Sequence, residues 1–597
     1  MKLTRNLILG LLASVYALLL GVRVFTIQFN PDFIQIKNDQ EKSSSAYVYE
    51  LDTGRGLIYD RWGNLLATNR RVYEVGLNLS GSYNSTTVAQ VASSLLGRDF
   101  NTVFDYVESH RVSKNGQGYY TLGRFVEKDT LDQILALAKQ YSEDGIKGDS
   151  APSLDGIDYA PMLIRAYPEG SLASNVLGYV DSRSTDHLIG NYGVEGRFDE
   201  LLNPPKTGFY ITGDPNQVKP PPDSSASNLV LTIDREIQAT VEKILDQALE
   251  ANGAQSGTIL VADPKTGELL AVATSGRENA NNITTNPSSQ NPFFRAVGQT
   301  YEPGSVFKVV TMATAIDLGL VTPETTIYDS GLYTENGSWV QNWDRLGHGN
   351  VTMTQCMELS LNVCLAKVAN EMIGVDKFYE YLQRFGFLSS TGIDMAGESI
   401  FPPMLPNQSF KLADGTELTW SRVDMISQSF GQGLFVTVMQ MIEAYTAFAN
   451  DGMMMRPHVV KSVITNGEKY DTPITPISQP ITAETARTIT AMLAESLQGE
   501  TSHVNVPGYK VAGKTGTGEI ANGAQGYNSP LTNASFVGWG PADDPKLLIY
   551  VWFEKPTSSR WGSEVAAPVF GDVFLQTAVL LNIPPDETRQ VLGNVNP

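Results

Sequence analysis

Ser305-Val-Phe-Lys308, Ser360-Leu-Asn362 and Lys514-Thr515-Gly516 follow one another in that order, and they constrain this chain of 597 residues more than any other feature. Pro303 and Gly304 interrupt what precedes Ser305, and the run from Val306 to Leu320 has apolar residues at helical spacing, which places Ser305 at a helix N-terminus. Lys308, three residues on, then shares a helical face with Ser305. A serine hydroxyl is a weak nucleophile until a neighbouring base takes its proton. An amine does so only when neutral, and burial among Val306, Phe307, Val309 and Val310 lowers a lysine pKa in that direction. Taken alone, the pair reads as a capping serine beside a surface lysine. The other two strings change that reading.

Ser360 and Asn362 lie inside the run from Met353 to Met372. A hydroxyl at Ser360 can pass a proton between Lys308 and a leaving amine, and Asn362 can hold a substrate amide carbonyl. The run from Tyr509 to Ile520 alternates and then turns glycine-rich, the pattern of an edge strand along which a ligand lies. Lys514 with the Thr515 and Thr517 hydroxyls suits a terminal carboxylate, and Gly516 leaves room for close backbone approach. An oxyanion hole needs two backbone N–H groups aimed at the developing charge, and the amides of Ser305 and Thr517 are the expected pair.

Around these strings stand Tyr301–Lys308, Gln428–Thr437, Ala447–Gly452 and Val511–Glu519. Together they resemble the transpeptidase domain of penicillin-binding proteins, from about Asn228 to about Leu581. Upstream, Arg55–Asn69, Arg165–Tyr179 and Gly190–Leu202 resemble the three motifs of the N-terminal pedestal module of class B members, the cell-division and elongation type. The resemblance implies an α+β fold: a five-stranded antiparallel sheet flanked by helices, plus a helical subdomain carrying Ser360 and Asn362, preceded by an elongated α+β pedestal and one transmembrane helix. The expected divisions are a cytoplasmic tail at 1–6, an anchor at 7–29, a dimerisation-type pedestal at 45–205, a linker at 206–228, the transpeptidase domain at 229–582 and a tail at 583–597. No glycosyltransferase domain is expected, because the pedestal motifs occupy its place.

The activity implied is serine D,D-transpeptidation of peptidoglycan. Ser305 attacks the D-Ala-D-Ala carbonyl of a donor stem peptide, with Lys308 as base and Ser360 and Lys514 relaying protons. Asn362 holds the substrate amide, and Thr515, Gly516 and Thr517 receive the carboxylate end. β-Lactams are expected to acylate Ser305, and a SEDS-type membrane glycosyltransferase is the expected partner. Class A β-lactamases carry a Glu-x-x-Leu-Asn loop between the second and third strings; no such string lies between Asn362 and Lys514, so penicillin hydrolysis is not expected. Two rivals are a catalytically silent scaffold of the wall-synthesis complex and a penicillin-sensing receptor, the latter with only about six residues ahead of the anchor to carry a signal.

Compartment follows from the N-terminus. Leu7 to Val22 is uninterrupted apolar or small sequence, and extension past Arg23 to Phe29 reaches the length of about 20 residues that spans a bilayer. Lys2 and Arg5 precede it, so the expected topology is single-pass in the cytoplasmic membrane, N-terminus inside and the bulk of the chain extracytoplasmic. A net charge of −21 argues against nucleic acid as a partner. The five histidines show no metal-ligand spacing and no phosphate loop occurs, so no metal and no cofactor are expected. The two cysteines, Cys356 and Cys364, flank Ser360 and Asn362. On one continuous helix they would lie about 12 Å apart, too far to bridge, and two buried free thiols are expected; a turn at Ser360 would permit a disulfide.

Overall fold

The computed structural model describes residues 54–112, 118–144, 151–181, 188–203, 226–285, 295–411, 417–497, 503–520 and 531–595, together with 47–50, 208–211 and the single positions 14 and 18. The expected membrane anchor at 7–29 therefore falls outside the described residues but for Ser14 and Leu18. Among the described residues no helix is long and apolar enough to cross a membrane. The chain divides into two compact units. In the smaller one, strands Tyr47–Glu50 and Gly208–Ile211 pair antiparallel, so the proline- and glycine-rich stretch read as a linker contributes a strand.

The larger unit comprises residues 54–203 and 226–597. Its N-terminal part runs β1 (Ile58–Tyr59), β2 (Leu65–Asn78), α1 (Ser85–Leu96), α2 (Phe100–Val112), β3 (Tyr119–Val126), α3 (Lys128–Glu143) and β4 (Ile157–Ala166). The long strand β2 pairs with β1, β3 and β4. Helix α1 begins where the Asn84 side chain accepts from the Thr87 amide at 2.9 Å, and ends at Gly97, whose φ of 66° supplies the left-handed cap. Val75 and Leu77 of β2 pack against Val88 and Ala92 of α1, Val103 and Val107 of α2, and Leu131 and Ile134 of α3.

The chain continues through β5 (Asn228–Leu231), α4 (Arg235–Asn252), β6 (Ser256–Ala262) and β7 (Leu269–Thr274). The helices that follow include α5 (Lys308–Asp317), α6 (Met353–Glu358), α7 (Asn362–Lys367), α8 (Val375–Arg384) and α9 (Val438–Ala449). Last come β8 (Val460–Thr465), β9 (Glu468–Asp471), β10 (Ala512–Glu519), β11 (Thr532–Gly540), β12 (Leu547–Glu554) and α10 (Ala567–Leu580). The expected five-stranded antiparallel sheet is present in the order β7-β6-β12-β11-β10. Strands β6, β7 and β12 are largely apolar and buried, whereas edge strand β10 carries Lys514, Thr515, Thr517 and Glu519. Ile549, Val551 and Phe553 of β12 meet Ile237, Val241 and Leu245 of α4 and Phe570 and Phe574 of α10. Leu548, Tyr550 and Trp552 point the other way, into the core that holds α5 and α9.

The two parts share a second sheet, of seven strands. β5 lies parallel to β1, with Ile58 opposite Leu229, and β8 and β9 continue it on the far side. The three upstream motifs converge beside it in a buried ionic cluster. Glu195 accepts from Arg55 Nε and from Arg165 Nε, each at 2.6 Å, and from the Tyr167 hydroxyl at 3.3 Å, while Arg55 Nη1 also donates to Asp199 at 2.7 Å. Burial alone would push the Glu195 carboxyl up; the two guanidiniums reverse this and hold it below its ordinary value. Further bonds tie this part to the catalytic side, among them Arg61 to Glu268 at 3.2 Å and Arg235 to Glu169 at 2.8 Å.

Candidate active site

Ser305 lies in a 3-10 turn, Gly304–Phe307, that leads directly into α5. The turn is held on all sides. The Gly304 amide donates to Gly431 O at 3.0 Å, the Tyr445 hydroxyl to Val306 O at 2.5 Å, and the Gly433 amide to Glu302 Oε1 at 2.7 Å. Its backbone also rests on β10 with no side chain between. A β-carbon on Gly518 would sit 2.4 Å from Glu302 O, and one on Gly516 3.0 Å from Pro303 O and 2.3 Å from Ser535 Oγ. The glycines of the third string thus let the strand reach the nucleophile turn.

Ser360 occupies the junction between α6 and α7. A capping box of Thr352 and Gln355 starts α6. The chain then reverses at Ser360, whose φ of 54° is a left-handed conformation that costs a residue with a β-carbon about 1–3 kcal/mol. That turn corrects the expectation for the cysteines. It brings the Cα atoms of Cys356 and Cys364 to 6.1 Å, and the two are joined in a disulfide rather than left as free thiols. Asn362 Nδ2 donates to Gln341 O at 2.9 Å, which fixes its amide and leaves a second N–H on the same nitrogen.

Lys308 is fully buried, and its Nζ donates to Ser360 O at 2.6 Å and to Ser360 Oγ at 3.2 Å. Lys514 is also buried, with Nζ 3.5 Å from Thr515 Oγ1. Among the described residues neither lysine is in an ion pair. Burial, and after it the charge of Lys514, drives the Lys308 amine well below its ordinary pKa, and burial lowers Lys514 to about 8. Thr515 and Thr517 are half-buried on β10, and the Thr517 hydroxyl accepts from the Gly562 amide at 3.1 Å. The structure therefore gathers the Ser305 turn, Lys308, Ser360, Lys514 and the β10 residues at one place. The arrangement supplies a buried amine of lowered pKa one turn from a serine, a second hydroxyl on that amine and a lysine on an edge strand. Among the described residues no cluster of three or more His, Cys, Asp or Glu is placed to hold a metal.

Several residues that frame the site carry no signal in the sequence. Gly562 is one. Trp343 and Trp561 are two more: their rings meet edge to face at 5.3 Å, joining the loop ahead of α6 to the loop after β12. Trp343 Nε1 donates to Leu359 O at 3.0 Å, next to Ser360, and Trp561 adjoins Gly562. Their approach across the chain depends on tertiary structure alone.

Comparison with known proteins agrees with this geometry. Residues 257–575 match the penicillin binding protein transpeptidase domain, and residues 50–217 the penicillin-binding protein dimerisation domain. The chain belongs to the penicillin-binding protein transpeptidase family, in its class B form. It is 30% identical to stage V sporulation protein D of Bacillus subtilis over 96% of this chain and 86% of that protein. It is 27% identical to peptidoglycan D,D-transpeptidase FtsI of Escherichia coli, over 97% and 92% respectively. The crystal structure of penicillin binding protein 2X from Streptococcus thermophilus superposes with a TM-score of 0.70 at 22% identity, over 89% of this chain and 80% of that one.

Proposed function

We propose that this protein is a membrane-anchored D,D-transpeptidase that cross-links peptidoglycan stem peptides through an acyl-enzyme on Ser305. The observation that carries the reading is the buried Lys308 amine, bonded to Ser360 and in no ion pair among the described residues. Held neutral, it takes the Ser305 hydroxyl proton as Oγ attacks the penultimate D-Ala carbonyl of the donor peptide. The carbonyl π pair moves to oxygen, facing the amides of Ser305 and Thr517. As the intermediate collapses, the C–N bond breaks and the proton on Lys308 passes through Ser360, with Lys514 beside it, to the departing D-Ala amine. Asn362 holds the donor amide; Lys514, Thr515 and Thr517 hold its carboxylate, Gly516 giving it room. A neighbouring stem-peptide amine then attacks the ester, loses its proton by the same route in reverse, and regenerates the Ser305 hydroxyl. β-Lactams enter at the first step, their strained amide standing in for the D-Ala-D-Ala bond.

The anchor at 7–29 would place the catalytic part outside the cytoplasmic membrane, where a SEDS-type glycosyltransferase supplies the glycan strands. The test is labelling of the detergent-solubilised full-length protein with a fluorescent penicillin, beside Ser305→Ala. A lasting label on the wild type alone is expected. No label on folded wild type would favour the scaffold reading, and label that decays within minutes would favour a hydrolase.

A further inference from the structure

Helix α9 has two working faces. Tyr445 reaches the nucleophile turn, and Glu443, two positions earlier, projects from the other side of the helix. There it lines a cavity of about 530 Å³ together with Glu380 and Arg384 of α8, Met454, Arg456 and Ile477. This size is within the roughly 300–1,000 Å³ range of small-molecule sites. Glu443 is only 3% exposed, and its Oε2 makes no hydrogen bond among the described residues. Gly386, also in the lining, passes so near that a β-carbon there would lie 2.7 Å from Glu443 Oε1. A buried carboxyl with no partner demands an explanation.

The charges around it supply one. Arg456 is exposed at the rim and, among the described residues, in no ion pair, yet its charge is felt by the Glu443 carboxyl. Arg384 is steadied by donating to Gln479 O at 3.2 Å and by standing 4.4 Å over the Tyr381 ring. The other acids are engaged elsewhere: Glu380 with Lys377 at 2.7 Å, and Glu398, whose charge also reaches Glu443, with the Thr391 amide at 2.7 Å. An acid and two guanidiniums thus face one cavity without closing on each other.

We infer that this cavity binds a small zwitterion, with the ligand's ammonium group on Glu443 and its carboxylate on Arg456 and Arg384. Met454 and Ile477 offer apolar contact to whatever joins the two ends. The site lies on the far face of α9 from Tyr445 and does not depend on the transpeptidase reading. Burial and the charge of Glu398 push the Glu443 carboxyl up to about 9, so it enters the complex protonated at neutral pH. The ligand's ammonium displaces that proton to the buffer, and one proton is released for each ligand bound.

The test is calorimetric titration of the full chain at pH 7 with D-alanine and with glycylglycine, to about 10 mM, the weak end of small-molecule affinity. n-Propylamine and propionate serve as half-ligands. Binding of either zwitterion is expected, tenfold or more tighter than either half-ligand, with an enthalpy that varies with the buffer's ionisation enthalpy. Preference for D-alanine would identify a free amino acid as the source, and preference for glycylglycine a peptide end. Glu443→Gln, which keeps the shape of a neutral acid, and Arg456→Gln, at an exposed position, should each weaken binding at least tenfold, whereas Lys514→Ala should not. No binding of either zwitterion would overturn the inference. So would equal binding by propylamine, or titrations unchanged in Glu443→Gln.

Discussion

The Nζ of Lys308 lies 2.6 Å from the carbonyl oxygen of Ser360 and 3.2 Å from its hydroxyl, so the amine at the foot of α5 is oriented by a residue in the left-handed turn between α6 and α7. Neither contact brings a negative charge, and the lysine is left to lose its proton.

Replacing Lys308 by Ala should slow acylation of Ser305 by a β-lactam about 10²–10⁴-fold. Lys308→Arg should be no better, because a guanidinium stays protonated in a protein. The second-order acylation constant by stopped-flow fluorescence decides this; a Lys308→Arg variant at near wild-type rate would remove the amine from the role of base.

Acylation should also follow a bell against pH. The rate should rise as Lys308 loses its proton, below the usual lysine range, and fall as Lys514 loses the charge proposed to hold the substrate carboxylate, near pH 8. The two limbs belong to the coupled pair of lysines. For stability the sign is the same for both groups. Their folded pKa values lie below the unfolded 10.5, so the unfolded chain holds more protons in between and their burden on the fold lightens as pH rises through that window. A flat rate profile from pH 5 to 10 would contradict the assignment.

Reduction should reach the active site through the Cys356–Cys364 bridge, because it clasps the turn that presents Ser360. Loss of a bridge typically costs about 2–4 kcal/mol. A reductant should lower the melting temperature and slow β-lactam acylation of the wild type, while a Cys356→Ser/Cys364→Ser double variant should show both defects without it and no response to it. Identical melting and acylation with and without the reductant would contradict a role for the bridge in holding Ser360.

Glu195→Ala would leave two buried guanidiniums facing each other with no anion between them. A loss of about 3–5 kcal/mol in urea unfolding is expected. The surviving folded protein should still take up a fluorescent penicillin at the wild-type rate, because the cluster touches none of Ser305, Lys308 or Ser360. A loss of labelling with unchanged stability would show that the cluster serves the cleft directly.

Much of this architecture is written locally in the chain. The two strands around the Pro264–Gly267 turn, the apolar strand of Leu547–Glu554 and the glycine-rich edge strand of Ala512–Glu519 all form where their patterns place them. The Ser305 turn is announced by Pro303 and Gly304. What the chain conceals is what depends on distant partners. Arg55 and Glu195 are 140 positions apart, and nothing near either says that they pair. The disulfide depends on a left-handed Ser360, and serine does not advertise that conformation as glycine would. Nor does a short pair such as Ile58–Tyr59 predict that it will lie parallel to Asn228–Leu231. Glu443 is an acid in the otherwise uncharged run Val438–Ala449, but that its Oε2 makes no hydrogen bond among the described residues is visible only in three dimensions.

The parallel ladder between β1 and β5 has a mechanical side. Strands joined edge to edge in one sheet do not pivot on each other, and the ionic bonds beside this seam stiffen it further. The N-terminal part of the larger unit is thus a lever fixed to the edge of the catalytic sheet opposite β10. A partner that grips α1 to α3 and twists them would deliver its torque to β5 and β8, and through His458 O, which accepts from the Leu269 amide, to the outermost strand of the five-stranded sheet. A load applied there would cross all five strands before it met the Ser305 turn.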